Sequence, residues 1–94
     1  MPHDLKLSRH AEVRSNQRGI QHKVIDLILQ FGVSTRGHSG CEIVYMTKAS
    51  RKRVIEALGR KLYAAYEARL SSYLVVAPDG TIVTCCHRTR RLKV

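Results

Sequence analysis

Two β-rich runs near the C-terminal end, YLVVA from Tyr73 and TIVTCCH from Thr81, are separated only by Pro78-Asp79-Gly80. Proline presets φ and glycine accepts a positive φ, so this tripeptide reverses the chain and commits the two runs to a β-hairpin. The chain has 94 residues, enough for one small domain over residues 1–94 and too few for a second core. Everything upstream of the hairpin therefore has to pack with it in a single layered unit.

Periodicity and punctuation supply the other elements. Ser8 suits an N-cap, and a polar helix from Arg9 to Arg18 stops at Gly19. The run QHKVIDLILQF places Val24, Ile25, Ile28 and Leu29 on one helical face, with Gly32 as the stop. Val33 to Gly40 is rich in hydroxyl residues and glycine and suits a connection or a frayed strand, after which Glu42 to Thr47 alternates as a strand. From Ser50 to Leu70 the spacing is again helical: Val54, Leu58, Leu62 and Ala65 share a face, and the start of this helix is strongly basic. The expected architecture is α+β: two N-terminal helices, a strand, a long basic helix and a C-terminal β-hairpin. The helices pack on one face of a small, mainly antiparallel sheet.

Charge narrows the partners. Seventeen Lys and Arg against seven Asp and Glu give a formal net charge of +10, and arginines outnumber lysines. Excess positive charge attracts polyanions by steering and counterion release, and arginine adds planar bidentate hydrogen bonding. RNA or DNA is one partner of that kind; a basic face that docks onto an acidic protein, or a merely solvated surface, is the other reading. Apolar stretches such as VIDLIL and YLVVA are far shorter than the roughly 20 residues of a membrane span. The N-terminal sequence has no apolar signal region, so a cytoplasmic protein with no membrane association is the expectation. Cys41, Cys85 and Cys86 are odd in number, and vicinal cysteines on a strand point to opposite faces, so reduced thiols are expected.

Chemistry concentrates in three places. On the first helix His10, Arg14, Gln17 and Arg18 fall on one stripe. A neutral imidazole can take a proton from a ribose 2′-hydroxyl and guanidiniums can neutralise charge growing on a phosphate. The plainer alternative pairs the arginines with carboxylates such as Glu12 and Asp26. On the last strand, period two puts Thr84, Cys86 and Arg88 on one face and Val83, Cys85 and His87 on the other, which weights Thr84 and Arg88 over His87. The run of Lys48, Arg51, Lys52 and Arg53, together with Arg90 and Arg91 in the tail, offers phosphate contacts or a solvated face. Tyr63, Tyr66 and Tyr73 are read as core residues rather than base-stacking platforms. No CxxC, HxxxH or HExxH spacing occurs, so no metal site and no cofactor is expected.

SRHAEVRSNQRGI, the apolar helix ending in QFG, and YLVVAPDGTIVTCCHR together resemble a bacterial family of unknown function. Its pattern is His-Ala-x-x-Arg, Arg-Gly-Ile and a terminal Ile-Val-Thr strand ending near Arg. That family is grouped with the barnase, EndoU, colicin and RelE-like fold of metal-independent ribonucleases and toxins. Its motif positions here are His10, Arg14, Arg18, Gly19, Ile20, Gly80, Thr84 and Arg88. The resemblance implies a RelE/ParE-like, toxin-like endoribonuclease that cuts by 2′-hydroxyl attack on RNA, free or on the ribosome. His10 would act as base or acid, Arg14, Arg18 and Arg88 as a phosphate clamp, and Thr84 as an orienting group. It also implies an acidic antitoxin-like protein as a partner. The chain departs from plain RelE-like toxins by its long basic helix before the hairpin, which would be free to cover the sheet face a substrate uses. The alternative function is a non-catalytic basic module for nucleic acid or an acidic protein.

Overall fold

The computed structural model describes residues 6–86, and His87, Arg88, Arg90 and Arg91 lie outside the described residues. The helices are α1 (Arg9–Arg18), α2 (His22–Phe31), α3 (Lys48–Leu58) and α4 (Arg60–Tyr66), and the strands are β1 (Val33–Arg36), β2 (Glu42–Tyr45), β3 (Tyr73–Val76) and β4 (Ile82–Cys86). The four strands form one sheet in the order β1-β2-β3-β4, every neighbouring pair antiparallel. The domain is α+β, and α1 packs on β4 while α2 packs on β2 and β3.

Local chemistry explains the first helices. The Ser8 hydroxyl accepts from the Ala11 N–H and caps α1, and Gly19 ends it in the left-handed conformation, its N–H returning to the Asn16 carbonyl. The next N–H, that of Ile20, reaches the Ser15 carbonyl at 2.8 Å, and the Ile20 side chain is buried. α2 carries the core: Val24, Ile25, Leu27 and Ile28 are buried against Val44, Leu74, Ile82 and Cys85 of the sheet. Leu29, expected on the buried face, is exposed and Leu27 takes its place, because α2 is flanked by α3 as well as by the sheet and its buried arc is wider than one stripe.

Three further elements differ from the sequence reading. Val33–Arg36 is a true edge strand, paired residue for residue with β2 from Val33↔Tyr45 to Arg36↔Glu42. β2 ends at Tyr45, and Thr47 serves as the N-cap of α3, its hydroxyl accepting from the Ser50 N–H. The single helix expected from Ser50 to Leu70 is two, broken at Gly59, whose φ of 86° and ψ of 158° no helix contains. The break rotates the second half, so Val54 and Leu58 keep their inward face while Leu62 is 52% exposed and Tyr63 and Tyr66 pack on the core instead. The α3–α4 unit stacks on α2, on the helical side of the sheet, rather than over the face that carries Tyr73 and Thr84.

Strict alternation also fails on β4. Ile82 and Cys85 are both buried, although period two would put them on opposite faces. A bulge causes this: Val76 pairs with Ile82 but Val75 pairs with Thr84, leaving Val83 as the extra residue. After the bulge Cys85 faces α1, and Thr84 and Cys86 lie half-buried on the other face.

Gly32 tests the close packing of the α2–β1 turn. A Cβ there would lie 2.5 Å from the Ile28 carbonyl oxygen and 2.8 Å from that of Tyr45. Gly32→Ala is expected to destabilise the domain by about 1–3 kcal/mol, read as a lower urea midpoint at unchanged slope. An unchanged midpoint would mean that the turn relaxes without cost.

Candidate functional site

α1 is held to β4 by a continuous set of hydrogen bonds. The Ile82 N–H donates to the Lys6 carbonyl at 2.7 Å, the Ser8 N–H to the Ile82 carbonyl at 2.9 Å, and the Ser8 hydroxyl to the Val83 carbonyl at 2.9 Å. One turn along the helix, the Cys85 thiol donates to the Ala11 carbonyl at 3.4 Å. These contacts pin the helix against the sheet edge and fix what its next turn can reach.

What it reaches is a sulfur. Arg14 is half-buried, and its Nη2 lies 3.9 Å from Cys86 Sγ, a long contact suited to a large, polarisable acceptor. Its Nε is buried without a hydrogen-bond partner among the described residues. Tyr73 stands directly opposite Cys86 in the β3–β4 register, and Thr84, two residues before Cys86, lies on the same face of β4. Arg14, Tyr73, Thr84 and Cys86 thus form one cluster at the edge of β4.

Electrostatics separates the two adjacent cysteines. Burial works to raise the Cys86 pKa, but donors from Tyr73, Arg14 and Thr84 outweigh it and hold the thiol below its ordinary value. Tyr73 moves the opposite way: its hydrogen bond to Cys86, its burial and the thiolate's negative charge all raise the phenol. Burial pushes the Cys85 thiol above its ordinary value, with the charge of Cys86 adding to that. One cysteine is set to ionise and the other to remain a packed thiol.

Of the residues singled out from the sequence, Arg14 and Thr84 come together at this cluster. His10 and Arg18 are exposed on α1, one turn before and one turn after Arg14. Arg51 serves as a brace, its Nη1 donating to the Tyr63 hydroxyl at 3.2 Å and the Glu67 carbonyl at 3.3 Å, and its Nη2 to the Ser71 hydroxyl at 3.1 Å. It ties α3 to α4 and the following turn, while Lys52 and Arg53 project into solvent. Sequence reasoning assigns no site role to Cys86 or Tyr73. Cys86 shares period two with Thr84, but the pairing of Tyr73 with it depends on the bulge.

Comparison with protein families, with curated proteins and with solved structures finds no match to this chain. Among the described residues no group of three or more His, Cys, Asp or Glu is placed to hold a metal ion, and no helix is long and apolar enough to cross a membrane.

The bracing role of Arg51 is separable from phosphate contact. Arg51→Ala is expected to cost about 1–3 kcal/mol of folding stability, because it leaves the partly buried Ser71 and Tyr63 hydroxyls without that donor. Lys52→Ala and Arg53→Ala are expected to stay within about 0.5 kcal/mol. Equal effects of all three in urea unfolding would reduce Arg51 to a surface charge.

Proposed function

We propose that this chain is an RNA-directed basic module on a RelE-like scaffold. Its working surface is the edge where the His10, Arg14 and Arg18 stripe of α1 meets β4. The observation that carries this reading is the setting of Arg14: a half-buried guanidinium held at the β4 edge by its contact with Cys86 and flanked on the same stripe by the exposed His10 and Arg18. Eight residues of helix separate His10 from Arg18, about 12 Å, which matches roughly three to four nucleotide steps of a stacked strand. Arg14, fixed by the Cys86 contact, would meet a phosphate in a set geometry, and Arg18 would add a second, solvent-exposed charge. The excess of seventeen cationic over seven anionic side chains supplies the long-range attraction.

Cleavage is the second reading, favoured by the exposed imidazole of His10 beside Arg14. In that scheme His10 removes the 2′-hydroxyl proton as the oxygen attacks the adjacent phosphorus, and the displaced 5′-oxygen leaves a 2′,3′-cyclic phosphate behind. Arg14 and Arg18 neutralise the equatorial oxygens, and Thr84 orients the phosphate. The remaining member of the phosphate clamp in the family pattern, Arg88, lies outside the described residues. An acidic antitoxin-like protein would compete for the same basic edge.

Two measurements on one preparation decide between grip and cut. With three to four phosphate contacts, affinity for a single-stranded RNA is expected to fall about 20- to 50-fold between 50 and 200 mM salt, with a shallower slope for Arg18→Ala. Cyclic-phosphate ends that vanish in His10→Ala would establish cleavage. Salt-dependent binding without new ends would establish a binding module, and no RNA affinity at low salt would turn the basic edge over to an acidic protein partner.

A further inference from the structure

Cys86 sits in a setting that RNA binding does not call for. Cys86 is half-buried on the sheet face away from the helices, with the Arg14 guanidinium 3.9 Å from its sulfur, Tyr73 opposite it across the β3–β4 pair and Thr84 two residues before it on the same face. Its neighbour Cys85 is fully buried and spends its S–H on the Ala11 carbonyl. Cys41, the third thiol, is half-buried in the β1–β2 connection, just before β2, where its carbonyl accepts the Gly37 N–H.

We propose that Cys86 is a modification site, a thiolate that Arg14 and Tyr73 hold ready for peroxides and soft electrophiles, while Cys85 one residue away is kept inert. A thiolate is the nucleophilic form of cysteine, and a positive neighbour with partial solvent access is the environment that selects for it. With hydrogen peroxide the sulfur attacks one peroxide oxygen, so that an S–O bond forms as the O–O bond breaks. The sulfur loses two electrons to the peroxide, the product is a sulfenic acid, and the hydroxide released takes up the proton that the thiol gave to solvent on ionising and leaves as water. Arg14 lies where it can stabilise that departing hydroxide as well as the thiolate before it. Cys85 points to the other face and is engaged with Ala11, so the oxidised sulfur is resolved by an outside thiol rather than by its neighbour. This chemistry shares Arg14 with the RNA reading but requires neither His10 nor Arg18 and no nucleic acid, so thiol labelling can succeed where RNA binding fails.

The test is site-resolved alkylation of the full native chain at neutral pH. Substoichiometric iodoacetamide is expected to label Cys86 at least about threefold faster than Cys41, with Cys85 protected until denaturant is added. Tyr73→Phe, which removes one oxygen and keeps the ring, is expected to slow Cys86 and leave Cys41 unchanged, the Cys41 rate reporting that the fold is intact. Brief exposure to hydrogen peroxide followed by dimedone is expected to tag Cys86 first. Labelling of Cys86 no faster than Cys41, or a Cys86 rate indifferent to Tyr73→Phe, would overturn the proposal.

Discussion

The seam between the first helix and the last strand is the contact on which the rest of this domain depends. Ser8 reaches Val83 across 75 residues of sequence and Cys85 reaches Ala11 across 74, so the chain closes on itself from near one end to near the other. Loop closure over such a separation has an entropic cost that local helices and hairpins do not bear. It is offset here by backbone pairing of Lys6 and Ser8 with Ile82 and by burial of Ala11 against Cys85. The seam also covers part of the outer edge of β4, leaving the β1 edge of the sheet as the one without such a strap among the described residues.

The bulge at Val83 belongs to the same seam. The Val83 carbonyl accepts the Ser8 hydroxyl, so the cap that starts α1 also holds the irregular residue of β4. Without the extra residue, the register set at Val76↔Ile82 would place Tyr73 opposite Cys85; with it, Tyr73 stands opposite Cys86. One inserted residue therefore decides which of two adjacent cysteines meets a phenol and a guanidinium and which is buried under a helix.

That dependence explains what the sequence could and could not disclose. The Ser8 cap, the Gly19 stop and the Pro78-Asp79-Gly80 reversal are local events with side-chain or φ requirements of their own, and each lies where the residues indicate. α2 is apolar enough to mark itself. β1 is a strand because β2 lies beside it, and nothing in Val33–Arg36 alone requires that pairing. The break at Gly59 hides inside a continuous helical spacing, since glycine is tolerated within helices and declares itself only through its dihedrals. Arg51 reads as one more cation in a basic run, and its three partners, spread from Tyr63 to Ser71, become neighbours only after the chain turns at Gly59. Arg14 and Thr84 are visible as candidates, but their common partner Cys86 requires a register that period two does not encode.

Arg14 also limits how the domain can carry so much positive charge. A half-buried guanidinium has to be met by compensating groups, because desolvation of a cation is costly. Among the described residues its hydrogen-bond acceptor is the sulfur of Cys86, and its Nε is left over. A neutral thiol is a weak acceptor and compensates the cation little, whereas a thiolate does so fully, so the ionisation of Cys86 and the burial of Arg14 support each other. The phenol of Tyr73, opposite Cys86 across the strand pair, is held above its ordinary value by that sulfur and by burial and so keeps its own proton. The Cys86 thiol, held below its ordinary value, is thereby the group at the β4 edge that answers the Arg14 charge.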